Sequence, residues 1–463
     1  MFEAAQFDAA LLRRHDRPGP RYTSYPSALQ FRSDFGVERW RQYALHSNSR
    51  GRRLSLYLHV PFCFSPCFYC GCTRVIARDP RKGEQYVDRL LREIERTAGL
   101  FQAGREVVQL HLGGGTPNFL SAETLARLVR GVGRRFRFST AVNRDFSIEL
   151  DPRSVPPGYA MALTVLGFNR VSLGVQDFDP EVQRAVNRQQ SVAQTLDLID
   201  DCRDSGIRSI NVDLMYGLPH QTPRTFQHTL RTVTSARPER VAVYGYAHLP
   251  TRFRAQRQID AGALPGPEER MELLRLAIDE LCASGYRYVG MDHFALPEDE
   301  LVQAQERHEL QRNFMGYTTH ADCDLLGFGV SAISHIGDSF SQNIRELKAW
   351  EAAVDAGELP LARGLELNDD DRLRSAVIGA LMCEGRIEVR RIERDFGIDF
   401  RHYFRDALEQ LRPHVADGLV RIDADRISVS ESGQLLLRSI AMCFDAYLSE
   451  PREASQPSYS KVV

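Results

Sequence analysis

The chain contains almost no lysine. Of its 59 basic side chains only Lys82, Lys348 and Lys461 are lysines, and the remainder are arginines. An arginine excess of this kind reads as the codon usage of a GC-rich genome, so each arginine has to be argued from its own position. Charge of one sign is lacking too. The 61 acidic residues bring the net charge to -2, which excludes a global field that would draw nucleic acid or an anionic membrane to the surface. Nowhere do about 18 apolar residues follow one another, as a membrane-spanning helix requires. The opening MFEAAQFDAALLRRHDRPGP has no apolar run of the kind a secretion signal needs. A cytoplasmic chain with no membrane and no nucleic-acid partner is therefore expected. Nine cysteines, an odd number without a secretion signal, argue against a disulfide framework.

What is present suffices for a large core. With 463 residues, 43% of them hydrophobic, the chain can build one large domain and a smaller one. From residue 54 onward it repeats a strand-like run followed by a helical stretch. The strands are SLYLHV (55–60), VVQLHL (107–112), FSIEL (146–150), RVSLGV (170–175), INVDLM (210–215) and RVAVYGY (240–246), rich in β-branched and aromatic residues. Between them lie amphipathic segments such as 84–101 and 122–136, with apolar residues three and four apart. This alternation predicts an α/β fold, a partial or full parallel (β/α) barrel with right-handed crossovers. Residues 286–295 read as a seventh strand, and the Gly-rich stretch 316–334 as the piece that closes the sheet. Beyond residue 350 charged helices and a hairpin-like piece (421–430) predict a mostly helical, winged-helix-like domain. The expected boundaries are 1–50 for an N-terminal segment, 51–350 for the barrel and 351–463 for the C-terminal domain.

In parallel α/β folds chemistry collects at the carboxyl ends of the strands, where loops and helix N-termini converge. The unusual residues of this chain fall there. A cysteine cluster follows the first strand and GGGTP (113–117) the second. Glu149 to Asp151 close the third, Gln176 and Asp177 the fourth, Asp213 lies in the fifth, and Ala247 and His248 follow the sixth.

The cluster HVPFCFSPCFYCGC spaces Cys63, Cys67 and Cys70 as Cys-x3-Cys-x2-Cys. Three thiolates from one loop suit an iron-sulfur cluster, and three ligands on four irons leave one iron open. Two other readings compete. A zinc site would need a fourth ligand, and Cys70-Gly71-Cys72 is too tight for the usual knuckle pair. Cys67-x2-Cys70 alone could form a redox pair, but the third cysteine and the surrounding pattern do not match one. The scattered Cys202, Cys282, Cys323, Cys383 and Cys443 read as small hydrophobes.

CxxxCxxC with Tyr69 before its last cysteine, followed by GGGTP after the next strand, resembles the signature of the radical S-adenosylmethionine (SAM) superfamily. PRYTSYP (20–26), LYLHVPFCFSPCFYCGC (56–72), HLGGGTP (111–117), GVQDF (174–178), DLMYGLPHQT (213–222), YAHLP (246–250), GMDHFA (290–295) and GVSAIS (329–334) together resemble, in order, the oxygen-independent coproporphyrinogen III oxidase family. The resemblance implies one 4Fe-4S cluster on Cys63, Cys67 and Cys70 and two SAM molecules side by side. For the SAM on the cluster it implies Tyr57, Gly114, Glu149 and Ile333. For the second it implies Tyr69, Gly115, Thr116, Gln176, Arg188, Asp213 and Ala247. Cys72 matches an extra cysteine outside the ligand set, and with Tyr57 it is the candidate catalytic group. Arg21 to Pro26 match a flap at the substrate mouth, the alternative being a disordered arm.

The implied activity is oxidative decarboxylation of two propionates of coproporphyrinogen III to vinyl groups, giving protoporphyrinogen IX in haem biosynthesis. It implies an electron donor such as flavodoxin or ferredoxin, and a monomer. One departure stands out: where the family reads Asn-Phe-Gln-Gly-Tyr-Thr-Thr, this chain has Met315 in place of the glutamine, without its amide donors and acceptor. A haem-binding chaperone of the related paralogous group is a rival, against which stand Cys70-Gly71-Cys72 and the Pro20 to Pro26 segment. Another tetrapyrrole-acting radical SAM enzyme, such as a haem-degrading methyltransferase, is a second.

Overall fold

Successive side chains on a strand point to opposite faces, and in the first six strands this alternation sorts apolar residues from polar ones. The protein is described by a computed structural model over residues 7–448; residues 1–6 of the expected N-terminal segment and 449–463 of the expected C-terminal domain lie outside the described residues. Strand β1 (Arg53–Val60) buries Leu54, Leu56, Leu58 and Val60 under the helices and turns Ser55, Tyr57 and His59 the other way. Strands β2 (Glu106–Gly114), β3 (Asp145–Leu150), β4 (Arg170–Gln176), β5 (Ser209–Tyr216) and β6 (Arg240–Gly245) repeat the pattern. Leu110, Ile148, Leu173, Val212 and Val241 join the apolar layer, whereas His111, Glu149, Ser172, Asp213 and Tyr244 line an interior cavity. The six strands thus enclose polar groups instead of a dry core.

Neighbours run parallel, pairing Tyr57 with His111, Glu149 with Ser172 and Asp213 with Ala242. The crossovers are helices Arg81–Ala98, Ala122–Gly133, Tyr159–Val165, Val192–Asp204 and Pro223–Ser235. Their starts are written locally. Ser121 and Ser191 accept from the Thr124 and Gln194 amides, and Thr222 with Thr225 forms a reciprocal cap ahead of Pro223. Among the described residues no helix is long and apolar enough to cross a membrane.

Two expectations at the sheet ends need correction. Residues 286–295 are not one strand but a hairpin, β7 (Arg287–Gly290) and β8 (His293–Ala295), with β8 antiparallel to β6. Gly290 and Met291 take positive φ and turn the chain back, leaving no length for a crossover helix. The stretch 316–334 does not close the barrel either. Its strand β9 (Cys323–Phe328) runs parallel to β1 on the opposite edge, and β10 (Ile333–Ile336), β11 (Ser339–Asn343) and β12 (Leu361–Glu366) add antiparallel strands beyond it. The order β7-β8-β6-β5-β4-β3-β2-β1-β9-β10-β11-β12 begins and ends on different strands, so the barrel is partial.

A boundary at residue 350 would cut helix Leu347–Asp355, and β12 still pairs with β11, so the sheet unit extends to Glu366. The following unit opens at the Asn368-capped helix Asp369–Glu384. It adds helices Val389–Phe396 and Arg405–Ala416 and a small sheet of Arg386–Glu388, Val420–Ile422 and Arg426–Val429, a winged-helix-like arrangement. Phe404, Leu411, Ile440 and Phe444 lie in its own core. From residue 7 on, the N-terminal segment packs against both units, which removes the disordered-arm alternative for Arg21 to Pro26. Its Trp40 and Ala44 pack into the sheet core, while Leu12, Tyr22 and Tyr25 pack into the C-terminal core. The Tyr22 hydroxyl donates to Asp445 (2.9 Å), so the segment straps the two units together.

Candidate active site

The loop after β1 is held from several sides. Gly115 donates to the Val60 carbonyl (2.8 Å) and Thr116 to that of Phe62 (2.8 Å), which binds GGGTP to the cysteine loop. Phe68 donates to Val186 (2.9 Å), and the Asn187 amide to Pro66 (2.7 Å). Glycine is required at 115, because a Cβ there would stand 2.6 Å from the Pro61 carbonyl carbon.

Cys63, Cys67, Cys70 and Cys72 share a cleft of about 860 Å3, open to solvent, with Tyr69, Gly114, Gly115, Thr116, Glu149, Gln176, Arg188 and Asp213. Three cationic side chains gather at the thiols. Arg153 and Arg188 each reach to 3.6 Å from the Cys67 sulfur, and Arg74 donates to its carbonyl (3.1 Å). Asp151 anchors both neighbours, at 2.6 Å from Arg153 and 3.2 Å from Arg188. The Thr116 hydroxyl donates to the Cys63 sulfur (3.3 Å). Hydrogen bonds from Cys72, against the effect of burial, hold the Cys70 thiol below its usual range, whereas burial pushes that of Cys63 up to about 11.

The opposite wall begins at Tyr57, whose ring stacks on His111 (5.8 Å, 16°). His59 Nε2 lies 3.0 Å from the Thr73 carbonyl and so carries the proton; Nδ1 accepts from the Tyr57 hydroxyl (3.0 Å). Glu149 accepts from the Gly114 amide (3.0 Å) and faces His111 at 3.4 Å. Enclosure opposes its ionisation, but the His111 imidazole and the Gly114 amide outweigh that and hold the carboxyl below its usual range. Asp213 accepts from Ser172 (3.0 Å) and Asn211 (2.8 Å), yet burial and then the Glu149 charge raise it to about 6. Gln176 sits at φ 71 beside a register shift in β4, a left-handed conformation that turns the chain out of the strand at the cleft.

Twelve of the fifteen residues expected at the site therefore share one cleft. Tyr57 touches it through His111. Ala247 touches it through Gln256, whose amide donates to the carbonyls of both Ala247 (3.1 Å) and Tyr69 (2.9 Å). Ile333 lies apart. Its side chain packs on the Phe31 and Phe340 cluster, and its backbone abuts Gly327, the strand partner of Tyr57. Sequence reasoning missed Arg74, Arg153, His59, His111 and Gln256. The two histidines occupy interior-facing strand positions, a signal available from the period of two, whereas Gln256 lies in the undistinguished run RAQRQ.

The donor set fits a cluster with bound SAM. Thiols are the ligands an iron-sulfur cluster takes, and hydrogen bonds and positive charge at the sulfurs are what tune it. Among the described residues no three of His, Cys, Asp and Glu converge on a single metal point, whereas on a cluster each thiolate takes a separate iron. Buried Nε atoms of Arg74 and Arg188 have no partner among the described residues, and a charged group in the cleft would satisfy them. A second cavity of about 840 Å3 shares Glu149, Ser172 and Asp213 with the cleft and continues to Tyr244, His293, Met315 and Tyr317.

Known proteins resemble the chain along its length. The family model for the Radical SAM superfamily matches residues 57–233, and that for the HemN C-terminal domain matches 367–436. The oxygen-independent coproporphyrinogen III oxidase of Pseudomonas aeruginosa is 48% identical over 448 residues, 97% of either chain. Its namesake from Escherichia coli is 45% identical over 457 residues, 99% of this chain and 98% of that one. Among solved structures, coproporphyrinogen III oxidase (HemN) from Escherichia coli, described as a radical SAM enzyme, matches with a TM-score of 0.92 over 96% of this chain and 100% of its own. With the cysteine cleft, the partial barrel and the C-terminal unit all accounted for, the chain belongs to the oxygen-independent coproporphyrinogen III oxidase family of radical SAM enzymes.

Proposed function

We propose that this protein converts coproporphyrinogen III to protoporphyrinogen IX without oxygen, turning two propionate side chains into vinyl groups in haem biosynthesis. The observation that carries this reading is one cleft in which a three-cysteine loop faces Glu149, Arg188 and Asp213, in a chain 48% identical to a relative named for that activity. Overall, each propionate gives up a β-hydrogen atom, carbon dioxide and one electron.

Cys63, Cys67 and Cys70 would hold one 4Fe-4S cluster. Such a cluster with SAM supplies, on one-electron reduction, a carbon radical able to remove hydrogen from an unactivated carbon. Ionised Glu149 suits an ammonium or ribose hydroxyls, with Tyr57 and Gly114 around the same SAM and Ile333 approaching it only through its backbone beside Gly327. Tyr69, Gly115, Thr116, Gln176, Arg188, Asp213 and Ala247 would hold a second. Arg74, Arg153 and Arg188 favour added negative charge at the sulfurs. Cys72 and Tyr57 are the groups positioned to move a hydrogen atom or proton. A flavodoxin or ferredoxin as electron donor, a monomeric state and a cytoplasmic site complete the reading. The N-terminal segment and C-terminal unit would shield the mouth from water and oxygen.

The test is an anaerobic assay of the reconstituted protein with coproporphyrinogen III and SAM, following product mass. Loss of two carbon dioxides is expected. SAM cleavage with the porphyrinogen untouched would refute the reaction, a mass gain of one methyl would indicate a methyltransferase, and stoichiometric haem binding without decarboxylation would indicate a chaperone.

A further inference from the structure

Two guanidinium groups pack on phenols that line the second cavity. Tyr244, His293 and Tyr317 form its wall there, with His293 edge-on to both phenols at 6.1 and 5.6 Å. A guanidinium stands over each phenol. Arg21, from the N-terminal strap, lies 5.6 Å over Tyr244 and pairs with Asp292. Arg312 lies 4.6 Å over Tyr317, its register partner in the short hairpin Gln311–Asn313 and Gly316–Thr318.

Arg312 differs from the other arginines around the interior. Arg170 and Arg240 are locked to Asp145, Asp299 and Glu300, and Arg188 to Asp151. Arg312 pairs with no carboxylate among the described residues, and its Nε and Nη1 are buried without a hydrogen-bond partner. Its charge acts on Arg21, His293, the phenols of Tyr244, Tyr288 and Tyr317 and the thiol of Cys383. None of these is an anion at neutral pH. Burial and then the charges of Arg312, Arg21 and Arg240 press His293 down to about 3, so it stays neutral and adds no counter-charge. Buried donors in folded proteins nearly always find an acceptor, and a planar fork of donors is the natural partner of a carboxylate.

We propose that Arg312, with Arg21 beside it, binds a propionate carboxylate of the tetrapyrrole substrate and so orients the macrocycle in the second cavity toward the wall shared with the cysteine cleft. This rests on coproporphyrinogen III being the substrate. Arg312 is a binding residue here, and Arg21 brings the N-terminal strap into the same contact. The competing role is a purely structural cation-π clasp that holds the hairpin on Tyr317.

Arg312→Gln and Arg312→Lys in the reconstituted full-length enzyme separate the two. KM and kcat are measured anaerobically with coproporphyrinogen III, and binding is measured by fluorescence with coproporphyrin III and with its tetramethyl ester, which has no free carboxylate. For Arg312→Gln the KM rises about ten- to a hundredfold, the size of one lost charge-assisted contact. Affinity for the tetra-acid falls likewise, while affinities for SAM and the ester are unchanged, and Arg312→Lys recovers part of the loss. The proposal is overturned if Arg312→Gln leaves KM and tetra-acid affinity within about twofold, or weakens acid and ester alike, as a structural clasp would. Should that variant not fold, Arg312→Lys and Arg21→Gln carry the same acid-against-ester comparison. A wild-type protein that neither binds coproporphyrin III nor consumes the porphyrinogen overturns the substrate reading itself, a result distinct from a variant indistinguishable from an active wild type.

Discussion

Replacing Asp213 with asparagine should make the metal-free protein more stable at alkaline pH while weakening its hold on SAM. Asp213 is raised from 3.8 to about 6 by burial and by the Glu149 charge, against the donors Ser172 and Asn211. A carboxyl with a raised folded-state pKa lends stability that is complete below about pH 4, declines as the pH climbs through about 6, and is absent above it. At about 1.4 kcal/mol per pH unit the span approaches about 3 kcal/mol. The side chain lines a cleft that water enters, so about 1–2 kcal/mol is the realistic magnitude. Asparagine keeps the shape: its oxygen can accept from Asn211 and its amide can donate to the Ser172 hydroxyl, whose own proton then turns to the water of the cleft. The unfolding midpoint of the metal-free variant, read by calorimetry, should rise by about 1–4 °C at about pH 8 and stay put at about pH 3, where Asp213 is mostly neutral in the folded and the unfolded chain alike. Equilibrium dialysis should show less SAM retained, since a sulfonium or ammonium seeks the charge that was removed. A midpoint that falls at pH 8, or shifts equally at both pH values, refutes the reasoning.

Three further outcomes test the cleft. Cys72→Ser should keep the iron and sulfide content of the wild type while Cys67→Ser loses it; loss of iron in the first would return Cys72 to the ligand set. Gly115→Ala should depress both iron incorporation and the thermal midpoint, because the new Cβ would meet the backbone at Pro61 (2.6 Å) and Phe62 (2.8 Å). Gly104→Ala, with nothing within 4 Å, is its control, and equal behaviour of the two would rule out the steric argument. Gln256→Leu removes the donors to Tyr69 and Ala247 and the acceptor for the Leu249 amide, a loss of about 1–3 kcal/mol. SAM retention should fall about tenfold, and unchanged retention with a normal midpoint would show that this clamp positions neither residue.

The parts of the fold that are legible in the sequence are those whose signal is local. Each of the six parallel strands carries its own period of two, so Leu54 to Val60 or Ile210 to Leu214 announce a strand without reference to anything distant. The cysteine spacing and the GGGTP turn are equally self-contained. The sheet ends are not legible because there the deciding feature is the partner. The run 286–295 has strand composition throughout, and only the positive φ at Gly290 and Met291 breaks it into a hairpin. The boundary at 350 fails for the same reason, since Leu361–Glu366 is held by pairing with β11 and not by its own pattern.

The site divides likewise. Glu149 and Asp213 can be read from strand position, but Gln256 becomes meaningful only once Tyr69, 187 residues away in sequence, is its acceptor. Met315 shows how this changes an interpretation. As a sequence departure it bears equally on the second SAM and on the substrate. In the fold it lines the second cavity beside Tyr244 and Tyr317 and not the thiol cleft, with Arg312 three residues before it in the same hairpin. A thioether offers no amide donor or acceptor there, so with Arg312 in its proposed binding role the orientation of the macrocycle falls more heavily on that guanidinium.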